Sequence, residues 1–165
     1  MPNSPQLNSE GVVRLTVKSN GQPIAESIAV ASVQVRRAVG SIPSARLVIA
    51  DGDMPSAEWP VADGATFQPG AAISIAAGYG DDEQTLFEGI VVTLGMQISG
   101  DNDSRLVIDC SHKAVNMTVG RRNAHYADQT DSTIIRGLVQ AHSLTAEVDG
   151  TNETHGALTQ YDCTD

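Results

Sequence analysis

The chain has 165 residues, enough for one domain or one domain plus the start of another, and 41% of them are hydrophobic, which excludes a disordered chain. Its formal net charge of −10 argues against a nucleic-acid partner, because nucleic-acid binding needs cations that neutralise phosphates. The same charge is repelled by anionic membranes, and no apolar stretch reaches the length that spans a bilayer, so no direct membrane insertion is expected.

Alternating apolar and polar residues predict a series of short strands through the first two thirds of the chain. Asn20-Gly21 after the first of them favours positive φ and predicts a hairpin turn. Residues 51–68 lack a clear period and predict a connecting loop with Trp59 as a small hydrophobic anchor. The predicted strands lie at about residues 13–18, 28–37, 45–50, 72–79, 85–98 and 104–110.

Glycines and acidic residues predict how the later strands bend and turn. The long strand from Thr85 to Ile98 is expected to bend at Gly89 or Gly95, since glycine inside a strand often marks a bulge. Turns are expected at residues 78–82 and 100–103. Strands at this short spacing favour a small antiparallel barrel or sandwich.

The pattern changes after about residue 111. Asp131 or Thr130 is a suitable helix N-cap, because a side-chain oxygen there accepts from free amides of the first turn. Apolar residues at helical spacing follow, and Leu144, Ala146 and Val148 then alternate as a further strand. The predicted helical face consists of Ile134, Ile135, Leu138, Val139 and His142.

These patterns predict a mainly β chain in three parts. Residues 1–11 are expected to form a flexible arm, and residues 12–111 a small antiparallel β-barrel. Residues 112–165 are expected to begin a second, mixed α/β domain that is incomplete.

No combination of residues points to a metal or cofactor. Gaps of 13, 17 and 13 residues separate the histidines, and these match no ligand spacing; the four are His112, His125, His142 and His155. Three acidic runs resemble fragments of calcium loops without completing one, at residues 51–53, 81–83 and 101–103. Surface histidines and solvated turns are the simpler interpretation, and no metal ligand is predicted.

Catalytic signatures are also missing from the sequence. It contains no Gly-x-Ser-x-Gly elbow, phosphate loop or dinucleotide fingerprint, so no catalytic or cofactor-binding residue is predicted. Cys110 falls in a strand pattern and is expected to be a small buried hydrophobe without a bridge to Cys163. Arg121-Arg122 is either a solvated pair or a bidentate site for a partner's carboxylate.

Several segments together resemble one protein family. They are the strand region 33–53 with its run Ser41-Ile-Pro-Ser-Ala-Arg-Leu-Val-Ile-Ala-Asp-Gly-Asp53, Lys113–Asn123, Asp128–Ile135, and His155 with Gln160-Tyr161. In this order they resemble the VgrG (Rhs-element Vgr) spike and hub family of type VI secretion. That family is similar to phage late control protein D and to the baseplate hub proteins of contractile tails.

The resemblance implies a structural role and a set of partners. A hub of this kind is a homotrimer that joins a ring of tube protein and baseplate proteins to a β-helical spike, and it can carry effectors. It is assembled in the cytoplasm of a bacterium, or from a phage genome, and then translocated with the spike. The family continues beyond the position of Asp165, so the chain is expected to be an N-terminal piece of a longer hub.

The alternative from another class is a free-standing β-sandwich that binds carbohydrate. The low aromatic content of 4% weighs against it, because sugar sites generally need aromatic stacking platforms. An enzyme is the least favoured interpretation.

Overall fold

Short antiparallel hairpins build the first part of the chain. In the computed structural model the described residues are 13–53, 56–79, 82–99 and 103–165, and the predicted N-terminal arm lies outside them. The chain divides into two compact units, with the boundary between His112 and Lys113.

The described residues of the first unit form a seven-stranded antiparallel sheet in the order β2-β1-β5-β6-β7-β4-β3. The predicted turn is confirmed, because Asn20 and Gly21 have φ values of 49° and 81° and connect the register pair Ser19 and Gln22. The strands are β1 Val13–Ser19, β2 Gln22–Pro23, β3 Val30–Arg36, β4 Ser44–Ala50, β5 Ala72–Tyr79, β6 Asp82–Ile98 and β7 Ser104–Ser111.

The predicted fold class, mainly antiparallel β, is confirmed, but over the described residues the sheet does not close into the expected barrel. Closure requires the strands at the two ends of the order to exchange backbone hydrogen bonds. Those strands are β2 and β3, and no pairing joins them among the described residues. A β2 of only two residues offers too little backbone to close the sheet.

Strand β6 is shared between two parts of the sheet. Its residues up to Ile90 pair with β5, and its residues from Ile90 onward pair with β7. Bulges flank this change of partner at Leu86 and Val92, which are each left without a register partner. The bends were expected at Gly89 or Gly95; the structure instead places the extra residues at these two exposed apolar side chains.

Alternate side chains of the sheet form one hydrophobic core. Leu47 and Ile49 of β4 are fully buried, as are Ile75 of β5 and Ile108 of β7. The alternation of apolar and polar residues in these strands therefore reflects a single buried face of the sheet. The remaining core residues are Val17, Ala45, Phe67, Ala71, Ile73, Phe87, Val91, Leu106 and Cys110.

The loop between β4 and β5 is anchored more deeply than the sequence indicates. Its most buried side chain is Phe67, which is 1% exposed, whereas the predicted anchor Trp59 is half-buried. The Trp59 indole donates to Ser104 Oγ at 3.2 Å. Asp51 is buried and accepts from the backbone amides of Val61 and Ala62 at 3.1 and 2.8 Å.

The second unit differs from its prediction in its strands. A two-stranded antiparallel sheet pairs β8, Arg122–Thr130, with β9, Thr154–Cys163, and neither strand was predicted. A 3-10 helix, Lys113–Thr118, precedes β8, and helix α1, Asp131–Ala141, follows it. The strand expected at residues 144–148 is wrong, because this segment has no strand partner among the described residues.

Helix α1 begins where the sequence placed it. Thr130 is the N-cap, and its Oγ1 accepts from the amide of Thr133 at 3.3 Å. The buried residues of the helix are Ser132 and Ile134, whereas Ile135 is 47% exposed. The predicted apolar face therefore includes one side chain, Ile135, that faces solvent.

Candidate assembly surface

The last residues of β6 form an unpaired strand edge. Gly70 donates to the carbonyl of Val91, and the amide of Val91 donates to Ala71, so the β5 side of β6 has a partner up to this point. Beyond it, residues 92–98 pair with β7 on one side, and no described residue pairs with their other side. We call this stretch the β6 edge.

Apolar side chains lie beside the unpaired backbone of the β6 edge. Met96 is in register with Leu106, and both belong to the row of side chains that faces the core. Leu106 is 1% exposed, but Met96 is 45% and Ile98 51% exposed. The side chains of this core-facing row are therefore buried on β7 but exposed where the row reaches the β6 edge.

A second unpaired edge lies at the other end of the sheet. Strand β3 pairs with β4 on one side, and its other side has no strand partner in the described part of the chain. We call Val30–Arg36 the β3 edge. Its core-facing side chains, Val33 and Val35, are partly buried against the core.

These two edges carry few of the charged residues and none of the prolines that commonly prevent strand pairing, and each contains one β-bulge, at Ala31 and at Val92. Natural edge strands are blocked by charged residues, especially lysine, and by proline. The β1–β2 end of the sheet has such residues in Arg14, Lys18 and Pro23. By contrast the β6 edge contains no charged residue or proline, and the β3 edge carries a single charge at its end, Arg36.

A polar row on the outer face fixes the register of the strands between the two edges. The Arg46 guanidinium donates to both carboxylate oxygens of Asp109 at 2.6 and 3.1 Å, across the paired strands β4 and β7. Thr93 of β6 is in register with Asp109. Both charged side chains are largely exposed, so solvent screens the ion pair, and its contribution is to the geometry of strand pairing.

The histidines occupy separate places in the fold. His155 Nε2 lies 2.8 Å from Asp131 Oδ1, and His125 Nδ1 lies 3.3 Å from Thr159 Oγ1. His112 lines a cleft of about 320 Å³ with Arg37, Phe87 and Glu88 among others. Among the described residues, no three His, Cys, Asp or Glu side chains are grouped closely enough to hold a metal ion.

His142 belongs to a hydrogen-bonded cluster in the second unit. Its Nε2 lies 2.7 Å from the Asp165 carboxylate, which also accepts from Gln160 at 3.1 Å and pairs with Arg122 at 3.2 Å. The hydrogen bonds from His142 and then Gln160 lower the pKa of Asp165 below its usual value. This carboxylate, only 2% exposed, joins helix α1 to both strands of its sheet.

Three carboxylates of the acidic runs, Asp51, Asp53 and Asp103, have partners within the protein. Asp51 accepts backbone amides, Asp53 accepts from Ser56 at 2.9 Å, and Asp103 pairs with Arg105 at 2.8 Å. A cleft of about 490 Å³ lies beside these three residues. Parts of the other two runs, residues 81 and 101–102, lie outside the described residues.

The remaining candidate residues also have structural partners. Arg121 pairs with Asp162 at 2.9 Å in the second unit. Cys110 is buried, and burial, with the nearby Asp109 charge, raises the pKa of its thiol to about 12. It is therefore the small buried hydrophobe that the sequence predicts; Cys163 is exposed, and both thiols are free.

One membrane finding concerns the described helices. None of them is long and apolar enough to cross a bilayer.

Comparison with known families decides the family of the chain. A model described as the Alg8 N-terminal domain matches residues 9–165. The chain belongs to the Alg8 N-terminal domain family. The matching family is thus not the VgrG family that the sequence resembles. No curated protein matches the sequence.

Solved structures of the same fold come from tails and a secretion system. The 43 kDa tail protein of prophage MuSo2 from Shewanella oneidensis has a TM-score of 0.68 at 11% identity, over 93% of this chain and 45% of that one. The c3393 protein of E. coli, described as a type VI secretion component similar to T4 tail proteins gp27 and gp5, has a TM-score of 0.61 at 14% identity, over 90% and 40%. A tail protein from Neisseria meningitidis MC58 has a TM-score of 0.51 at 11% identity, over 78% and 33%.

These matches establish the fold of the Alg8 N-terminal domain chain. Their sequence identities, 11–14%, are too low to carry an activity across. The chain also spans less than half the length of each solved structure.

Proposed function

We propose that the chain is a non-catalytic structural component of a contractile, tail-like injection machine. The observation that carries this proposal is the shared fold: at least 90% of the chain superposes on a prophage tail protein and on a type VI secretion component. One of these proteins is described as a tail protein and the other as a secretion component similar to tail proteins, and this agreement supports the proposal.

The edges of the sheet support an assembly role. Two unpaired strands without blocking charges are a liability for a free monomer, because they template pairing with another chain. In an assembly component the same edges are useful, since they bind neighbouring subunits.

Within that class, we assign the chain to the hub that joins the tube to the spike. The segments that resemble VgrG support this position, as does the described similarity of the E. coli neighbour to gp27 and gp5. The hub would be a homotrimer whose partners are a ring of tube protein, baseplate proteins and carried effectors. It would be assembled in the cytoplasm and leave the cell with the spike.

The proposal is tested on particles from the bacterium or phage whose genome encodes the chain. Tail-like particles are purified, and an antibody against the chain is located by electron microscopy. A hub gives one label at one end of each tube and peptides of the chain in the particle digest. Particles that assemble fully without the chain would refute the assignment.

The carbohydrate-binding alternative lacks a supporting observation. Such a site needs an exposed aromatic platform, and the described residues offer one strongly exposed ring, Tyr161 at 80%, while the half-buried Trp59 donates its indole N–H to Ser104. A glycan array with the purified chain tests it directly. Tight binding to one glycan, with no label on particles, would favour the alternative.

A further inference from the structure

The β6 edge and the β3 edge belong to one antiparallel stretch of the sheet. From residue 90 onward, β6 pairs with β7, β7 with β4 and β4 with β3, and every one of these pairings is antiparallel. The two edges therefore run in opposite directions. When two copies stand side by side in the same orientation, the β3 edge of one meets the β6 edge of the next as an antiparallel pair.

The side chains of the two edges match in that arrangement. Copies in the same orientation keep their core-facing rows on the same side. At the same height along the strands, Leu94 and Met96 of one copy then lie level with Val33 and Val30 of its neighbour. An added strand would cover Met96, which is 45% exposed, and supply backbone partners for residues 92–96.

The distribution of charge favours the same pairing of the β6 edge with the β3 edge. Each copy carries a formal net charge of −10, so two copies repel over most of their surfaces. The β6 and β3 edges contain no acidic residue, and the β3 edge ends in the positive Arg36. The protected β1–β2 end, with Arg14, Lys18 and Pro23, is the less suitable contact.

We infer that the occupant of the β6 edge is the β3 edge of a second copy of this chain. The contact is head-to-tail: each copy uses two different edges, so repetition leads to a ring or an open row rather than to a closed twofold dimer. This inference rests on the proposed function for its setting in a ring-shaped hub, and it names the strands that join the subunits.

Two edge variants of the full chain test the inference. One variant, Met96→Asp with Ile98→Asp, blocks the β6 edge; the other, Ser32→Asp with Gln34→Asp, blocks the β3 edge. All four positions lie at the rim of the sheet, where the side chains are exposed. Leu15→Asp, at an equally exposed apolar residue on β1, is the matched control.

Sedimentation velocity over a concentration series reaching the millimolar range gives the outcome. The wild type and the Leu15→Asp control associate, and each edge variant alone loses at least about tenfold in association constant. An equimolar mixture of the two edge variants forms a one-to-one dimer, because each retains the edge that the other lacks. Circular dichroism melts confirm that each variant is folded.

Three results would overturn the inference: a monomeric wild type, an edge variant that still dimerises alone, or a mixture that stays monomeric. If a variant fails to melt cooperatively, it is replaced by Gln97→Lys or Val30→Lys at the same edge. Failure here is separate from failure of the proposed function. A chain present in particles but unpaired in solution refutes the strand pairing, whereas a chain that pairs but is absent from particles refutes the hub.

Discussion

Gly89 lies directly against the backbone carbonyl of Ser111. A methyl group on its α-carbon would overlap that oxygen and the tip of the Phe87 ring. This contact occurs next to Ile90, where β6 changes its partner from β5 to β7. The absence of a side chain at this glycine therefore lets the two parts of the sheet meet at one strand.

Gly89→Ala should lower the free energy of unfolding by about 1–3 kcal/mol, because the added methyl forces the buried backbone apart. Gly95→Ala on the same strand is the control, since a methyl there meets no atom within 4 Å. Urea unfolding followed by Trp59 fluorescence measures both. Equal stability of the two variants would show that β6 and β7 are not closely packed at Gly89.

Asp51 should be the most important carboxylate for the loop between β4 and β5. Asp51→Ala leaves the amides of Val61 and Ala62 without their acceptor, so we expect a loss of about 2–3 kcal/mol. Asp53→Ala, at an exposed position two residues away, should change stability by less than about 0.5 kcal/mol. The same urea titration measures the stability of both variants. If Asp51→Ala is as stable as wild type, water replaces the carboxylate as the acceptor for these amides.

The strands of the first unit were predictable because burial and hydrogen bonding have the same period there. Leu47 and Ile49 alternate with exposed residues and are also paired in register with β7. The bulges were not predictable, because Leu86 and Val92 look like ordinary strand residues. The unpaired edges were not visible either, since they depend on which strands are neighbours.

The strands of the second unit were not predicted, because there the pattern of burial does not follow the hydrogen bonding. Strands β8 and β9 have no continuous apolar face; side-chain pairs such as Tyr126 with Gln160, at 3.0 Å, help to hold them together. The segment 144–148 has the right alternation, and its residues are half-buried and exposed in turn, but it lacks a strand partner. The alternation in this segment therefore reflects which side chains are buried and does not indicate a paired strand.

The core side of helix α1 is tested by substituting neighbouring isoleucines. Ile134 is 7% exposed and Ile135 47%, so Ile134→Asp should destabilise the second unit by about 3 kcal/mol or more. Ile135→Asp, at a residue of the predicted apolar face that is exposed to solvent, should cost less than about 1 kcal/mol. Hydrogen exchange of the α1 amides measures both, and faster exchange in Ile135→Asp than in Ile134→Asp would reverse the assigned face.

The two thiols should react at very different rates. Cys163 is exposed, whereas Cys110 is buried and the pKa of its thiol is raised to about 12, which leaves very little thiolate at neutral pH. A maleimide reagent should label Cys163 in the native chain and Cys110 only after denaturation. Mass spectrometry counts the labels, and rapid native labelling of Cys163→Ser would show that the sheet opens at β7.

Stability of the second unit should fall in acid because of Asp165. A carboxylate whose pKa is lowered by folding stabilises the folded state above its ordinary pKa of about 4. That contribution disappears as the pH falls through the lower pKa of the folded state. Asp165→Asn should therefore be less stable than wild type at pH 7 and should lose less stability as the pH falls below about 5. Asp162→Asn, which removes a largely exposed partner of Arg121, is the control and should keep the wild-type slope. Hydrogen exchange of the β8 and β9 amides across this range gives the measurement, and parallel pH profiles for Asp165→Asn and wild type would exclude Asp165 as the source.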